Sequence, residues 1–205
     1  MRNVSIVDAG LGNVSSVKRM IERAGGNVTV IKEPDQIQYR SKVVLPGVGH
    51  FDEGMKRLTS LGFTWKLSEL VSHERVTLMG ICLGMHLLCR TSEEGSLPGL
   101  GLIDASVHKF HFVSDKSFKV PHMGWNIVHS ERENLLFLSN KREERFYFAH
   151  SYRVIPRDSA ITIGTANYGG NFCAAFHKDN IFGVQFHPEK SHSFGLALMR
   201  RFIEL

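Results

Sequence analysis

The stretch Gly80-Ile81-Cys82-Leu83-Gly84 decides how this chain is read. The apolar run Val76-Thr77-Leu78-Met79 before it reads as a short buried strand, and Met85-His86-Leu87-Leu88-Cys89 after it as the start of a helix. Small residues thus flank a reactive atom where a strand turns sharply into a helix, the logic of a nucleophile elbow with sulfur in place of oxygen. Glycines are needed because side chains at the turn would clash, and the turn aims Cys82 out of the sheet. A helix N-terminus behind the sulfur favours the thiolate through its partial positive charge. By itself the motif fits a small buried core cysteine equally well.

A second stretch changes that balance. Phe186-His187-Pro188-Glu189-Lys190-Ser191 follows the strand-like Ile181-Phe182-Gly183-Val184-Gln185. In an extended segment residues i and i+2 share a side, so Glu189 can accept a hydrogen bond from His187 and fix its tautomer. The other ring nitrogen is then free to take the proton of Cys82. Nucleophile, base and orienting group form a generalised triad. A third stretch, Pro46-Gly47-Val48-Gly49 after the strand-like Lys42-Val43-Val44-Leu45, offers backbone N–H groups of the kind an oxyanion hole requires. Read alone, Pro46-Gly47 is an ordinary turn signal.

Strands and helices alternate in the first half. Val4–Val7, Val28–Ile31, Val43–Leu45 and Val76–Ile81 read as strands, with helices over Val14–Ala24, Phe51–Thr59 and Thr64–Ser72. From Leu102 the chain is mostly strand-like until a last helix, Ser193–Ile203. The expected architecture is α/β: a central, mostly parallel sheet flanked by helices, with an antiparallel extension in the second half. No repeat, linker or low-complexity segment divides residues 1–205, so a single domain is expected.

The three stretches together resemble the class I (triad) glutamine amidotransferases. Four further segments narrow the resemblance: Asp8-Ala9-Gly10-Leu11-Gly12-Asn13, Val120-Pro121-His122-Met123-Gly124-Trp125-Asn126, Phe146-Tyr147-Phe148-Ala149-His150-Ser151-Tyr152 and His187-Pro188-Glu189-Lys190-Ser191. In this order and spacing the chain is similar, over essentially its whole length, to the glutaminase subunits of imidazole glycerol phosphate synthases. The resemblance implies Cys82 as nucleophile, His187 as acid/base and Glu189 as its orienter. It implies Gly47, Val48 and Gly49 as the oxyanion loop, Glu94 as holder of the glutamine α-ammonium, and the Ser151-Tyr152 backbone as holder of the α-carboxylate. Asn13, Trp125, Tyr147 and Lys190 match positions at the interface with the synthase subunit. Two residues depart from the family pattern. His86 stands where a substrate-binding glutamine is usual, and Ala9 where an aromatic residue is usual.

The implied partner is a separate (βα)8-barrel cyclase, forming a heterodimer and receiving ammonia through an internal tunnel. The products are imidazole glycerol phosphate and an aminoimidazole carboxamide ribotide of histidine biosynthesis. The departures also fit a paralogue whose ammonia goes, with a similar barrel, to a sugar amidotransferase of surface polysaccharide synthesis. A cysteine peptidase or chaperone-like relative would share the elbow but lack the Glu94 and Ser151-Tyr152 matches. A catalytically weak scaffold that only stabilises a partner barrel would follow if His86 spoiled the pocket.

Composition sets outer bounds. The 205 residues, 42% hydrophobic and 22% charged, are ordinary for a globular protein. No apolar run approaches the roughly 20 residues of a membrane span, and no signal pattern is read at the start, so a cytoplasmic protein without membrane contact is expected. Three cysteines form no disulfide framework. The net charge of +5 is scattered, and the densest run, Lys141-Arg142-Glu143-Glu144-Arg145, has mixed sign and reads as a solvated turn, which argues against nucleic acid. The 11 histidines, including His108-x-x-His111 and the His187/His192 pair, lack a zinc-type donor set. No metal or other cofactor is implied. Arg2 follows Met1, so an N-terminal cysteine nucleophile is not expected.

Overall fold

Strands and helices alternate through most of the first half of the chain, as its apolar patterning requires, with two helices in succession before the fourth strand. The structure, a computed structural model, describes residues 2–112, 118–131, 133–137 and 143–205. Along the chain run β1 (Asn3–Val7), α1 (Val14–Arg23), β2 (Asn27–Ile31), β3 (Lys42–Gly47), α2 (Phe51–Ser60), α3 (Phe63–Ser72), β4 (Thr77–Cys82), α4 (Leu83–Leu87), β5 (Thr91–Ser92), β6 (Ala105–Lys109), β7 (His122–Ser130), β8 (Glu144–His150), β9 (Tyr152–Pro156), β10 (Thr162–Asn167), β11 (Asn171–Lys178), β12 (Ile181–Val184) and α5 (His192–Glu204).

The strands join in one sheet whose spine runs β2-β1-β3-β4-β12-β11-β10-β7-β8. From β2 to β12 the pairs are parallel. From β12 to β8 they are antiparallel. β9 pairs with β11 and β6, and β6 with β5, as a side branch.

The parallel half is buried on both faces, which is why β1, β3, β4 and β12 read as continuous apolar runs. Successive residues serve opposite cores. Val44, Met79 and Ile81 pack with Val17 and Ile21 of α1 and Leu198, Met199 and Phe202 of α5. Val43, Leu45 and Leu78 pack on the other face with Leu58 of α2, Phe63 and Leu67 of α3, and Leu83 of α4. The antiparallel half alternates instead: in β8, Phe146, Phe148 and His150 are buried while Arg145, Tyr147 and Ala149 are at least partly exposed.

Three expectations need correction. The elbow helix α4 ends at Leu87, because the carbonyls of Leu87, Leu88 and Cys89 accept from the N–H groups of Leu100, Ile103 and Gly101 instead of from a further helical turn. β9 lies in the half expected to be mostly strand-like, but the apolar pattern marks strands over Arg145–Phe148 and Ile161–Thr165 with none between, because Tyr152-Arg153-Val154-Ile155-Pro156 lacks a bounded apolar run. Of the mixed-charge run, Lys141 and Arg142 lie outside the described residues, and Glu144 is not solvated. It opens β8, buried, with its Oε1 2.8 Å from Arg201 of α5.

Candidate active site

Cys82 ends β4 and precedes α4 with φ +53° and ψ −110°, a backbone region that a non-glycine residue occupies at a cost of about 1–3 kcal/mol. The surroundings enforce it. A Cβ on Gly80 would stand 2.6 Å from the Gly84 carbonyl oxygen, and one on Gly84 would stand 1.8 Å from the Leu45 carbonyl oxygen. The elbow therefore closes only with glycine at both positions. β12 lies beside β4 with Val184 opposite Ile81, so the chain leaving β12 delivers His187 to the cysteine.

His187 Nδ1 lies 2.9 Å from Glu189 Oε1. A carboxylate only accepts, so Nδ1 carries the proton and Nε2 is left for Cys82. Burial pulls the imidazole pKa down. Hydrogen bonds to Cys82 and Glu189, and the negative charge each can carry, outweigh it and hold the ring up at about 10. Ser191 fixes the segment: its Oγ donates to the His187 carbonyl at 2.6 Å and accepts from the Tyr147 N–H at 3.0 Å. The His187 N–H in turn donates to the Tyr147 carbonyl at 2.9 Å. An acid/base group is thus held against a sulfur nucleophile, the arrangement for acyl transfer.

A cavity of about 270 Å³ opens beside Cys82. Val48, Gly49, His86, Glu94, Ser151 and Tyr152 all line it. Gly47 does not. It ends β3 in register with Cys82, one residue before the lining begins. Glu94 Oε2 accepts from the Phe51 N–H at 3.0 Å, and burial raises its carboxyl above the ordinary value. The Val48 N–H is spent on the Leu11 carbonyl at 2.5 Å. Gly49, with φ +109° and nothing within reach of a Cβ, leaves that loop room to turn.

His86 lines the cavity with its Nε2 2.8 Å from Gln185 Oε1, and burial drives its pKa down to about 4. It is neutral near pH 7, which removes any repulsion of an ammonium group by this ring. Sequence reasoning missed the roles of four more polar residues at or behind the cavity, Gln185, His150, His122 and Asn126. Gln185 is fully buried. His150 Nδ1 sits 2.7 Å from the Tyr152 carbonyl and must donate to it, so its Nε2 accepts from His122 Nδ1 at 2.9 Å. Asn126 Nδ2 completes the chain 3.3 Å from His122 Nε2. Burial lowers the pKa of His122 to about 4 and that of His150 well below its ordinary value, so both rings are neutral links. A polar residue inside an apolar strand run was the available signal for Gln185.

Trp125, Tyr147 and Lys190 share one patch. Trp125 is 48% exposed, which excludes a core role, and meets Tyr147 edge-on with ring centroids 6.3 Å apart. Lys190 Nζ lies 5.6 Å above the Tyr147 ring. Asn13 caps α1 by accepting the Ser16 N–H at 3.1 Å, and α1 packs against the Pro188–Lys190 turn. Exposed Val48 and Met123 line the cavity.

The family model described as Glutamine amidotransferase class-I matches residues 5–205. A protein of Methanococcus maripaludis named imidazole glycerol phosphate synthase subunit HisH 2 is 49% identical over 98% of each chain. One of the same name from Pseudomonas aeruginosa is 43% identical, covering 98% of this chain and 99% of its own. Among solved structures, a glutamine amidotransferase crystal structure superposes with a TM-score of 0.73 at 18% identity, covering 98% of this chain and 97% of that one, a likeness of fold. Geometry, family match and relatives agree: the chain belongs to the class-I glutamine amidotransferases.

Proposed function

We propose that this chain is the glutaminase subunit of an imidazole glycerol phosphate synthase, acting in the cytoplasm as one glutamine amidotransferase domain over residues 1–205. The observation that carries the reading is the Cys82–His187–Glu189 set opening on a cavity that also holds Glu94. Glutamine binds with its α-ammonium at Glu94, its α-carboxylate at the Ser151-Tyr152 backbone, and its side chain against the His86 wall. The Cys82 thiolate attacks the side-chain amide carbon. The C–N bond then breaks as His187 gives its proton to the leaving ammonia, and a γ-glutamyl thioester remains. Water, deprotonated by His187, hydrolyses the thioester to glutamate. The oxyanion of both steps needs backbone donors: the Leu83 N–H beside the nucleophile and one from the Gly47-Val48-Gly49 loop.

The ammonia passes to a separate (βα)8-barrel cyclase that docks on Asn13, Trp125, Tyr147 and Lys190. There it yields imidazole glycerol phosphate and an aminoimidazole carboxamide ribotide. The names of the relatives favour histidine biosynthesis over a sugar amidotransferase. Cys82→Ala in the complex with the cyclase tests the reading. Glutamine-dependent synthesis should fall on the order of 10⁶-fold, while synthesis from added ammonia continues, since free ammonia bypasses the thioester. Continued turnover of glutamine would remove Cys82 from the role.

A further inference from the structure

Gln185, the first residue after β12, is buried completely, yet both ends of its amide are engaged beside the nucleophile. Its Oε1 faces His86 Nε2 at 2.8 Å, and its Nε2 faces Cys82 Sγ at 3.9 Å. An amide oxygen accepts and an amide nitrogen donates, so His86 Nε2 must carry the proton in this contact. The orientation of the amide is thereby set. With its oxygen held by the imidazole, Gln185 can present only N–H to the sulfur. A thiolate accepts such a bond far better than a thiol does. The backbone is equally fixed, since the Gln185 N–H donates to the Ala174 carbonyl of β11 at 2.9 Å.

We propose that Gln185 is a further catalytic residue that stabilises the Cys82 thiolate through its side-chain N–H, and that His86 is the positioning residue that keeps the amide in this orientation. A glutamine in place of His86 has an N–H that can do the same, so the departure at this position preserves the arrangement. The proposal rests on Cys82 being the nucleophile. It assigns His86 a duty toward the enzyme's own sulfur, in addition to forming the cavity wall.

The test is the pH dependence of Cys82 alkylation by iodoacetamide in the full chain, localised by mass spectrometry. Cys89 and Cys173 do not compete near neutral pH, since burial raises the Cys89 thiol strongly and that of Cys173 to about 12. His187, with Glu189 behind it, also bears on the sulfur, and His150 shares the cavity; all three stay intact in every variant. Gln185→Leu should move the midpoint up by about one pH unit, roughly a tenfold slower alkylation below it. His86→Leu should move it the same way by less, and His86→Gln should return it to the native value. A merely structural role would not sort the two His86 variants in this way.

A native midpoint in a folded Gln185→Leu protein overturns the proposal. If that variant does not fold, the His86 pair decides: a shift in His86→Leu that His86→Gln lacks supports the proposal, and an unshifted His86→Leu overturns it. Complete alkylation of Cys82 that leaves glutaminase activity intact would instead overturn the nucleophile assignment, whatever the midpoints.

Discussion

Two neighbouring strand ends in the same sheet stand in different states. β4 and β3 run parallel and in register, with Gly47 opposite Cys82. At the end of β4 the machinery is assembled: the sulfur sits on a strained elbow, and His187 is locked to Glu189 and Ser191. At the end of β3 the loop that should receive the oxyanion has its Val48 N–H tied to the Leu11 carbonyl. The proton-transfer groups are built into close-packed strand ends, where misplacement is costly. On the proposed mechanism, charge stabilisation falls to this loop, whose Val48 N–H is already engaged. A glutaminase working in that way would keep its nucleophile ready and withhold a donor that makes attack productive.

The largest effect should come from disturbing the assembled side. Glu189→Gln places an amide opposite Nδ1, and an amide N–H donated there drives the proton to Nε2, where it blocks the base. The variant also loses the carboxylate that helps hold His187 at about 10. Glutamine hydrolysis in the complex should fall roughly 10⁴-fold, as expected when a triad base is held in the wrong tautomer, with ammonia-dependent synthesis retained. A loss of less than tenfold would show that this side is not set by Glu189.

The loop side should answer to the partner. One missing oxyanion donor is worth roughly 10²–10³ in rate, so the isolated chain should hydrolyse glutamine that much more slowly than the complex with cyclase and its ligand. Equal glutaminase rates in the free chain and the complex would mean that the Val48–Leu11 bond withholds nothing.

This contrast was only partly legible in the residues. The elbow was legible because Gly80 and Gly84 are required by atoms that would otherwise overlap, and such requirements leave glycines at fixed spacing. The pair His187 and Glu189 was legible because i, i+2 spacing in extended chain is local. The parallel half was legible because strands buried on both faces carry continuous apolar runs. What escaped depends on distant partners. Gln185 meets His86 across 99 positions, and the chain His122–His150 spans 28, so no local pattern announces either contact. Glu144 read as solvated because its partner Arg201 lies 57 positions away. The state of the Val48 N–H depends on a carbonyl in a different loop, and sequence carries no mark of it.

Glu94 bridges the two sides, since its carboxylate is held by the first amide of α2, just after the Gly47-Val48-Gly49 loop. Glu94→Gln keeps an acceptor for Phe51 but loses the charge proposed to pair with the substrate ammonium. A charge-assisted bond of about 1.5–3 kcal/mol predicts a KM for glutamine roughly 10- to 100-fold higher, with kcat changed less. Burial raises this carboxyl, so in the native complex KM should climb as pH falls, starting above the usual carboxylate range. A flat KM in the variant would move the ammonium site elsewhere in the cavity.

The smallest effect on chemistry, and the sharpest test of how firmly the assembled side is buried, concerns His86. Its pKa is near 6.5 in the unfolded chain and about 4 in the folded one, lowered by burial against a weaker opposing effect of Gln185. Between those values the unfolded chain binds a proton that the folded protein refuses, so stability falls as pH drops from 6.5 toward 4, by about 3 kcal/mol for this ring. His122 and His150 add losses of the same sign, but they are present in both proteins and cancel in a comparison. Glutamine does not titrate. The unfolding free energy of His86→Gln, measured by denaturant at pH 8, 6, 5 and 4.5, should therefore gain steadily on that of the native chain as the solution is acidified. The gain should cease below pH 4, where the native ring also takes up its proton. Parallel stability profiles across this range would mean that His86 protonates freely in the folded protein, and that the cavity floor beneath Cys82 is open to water.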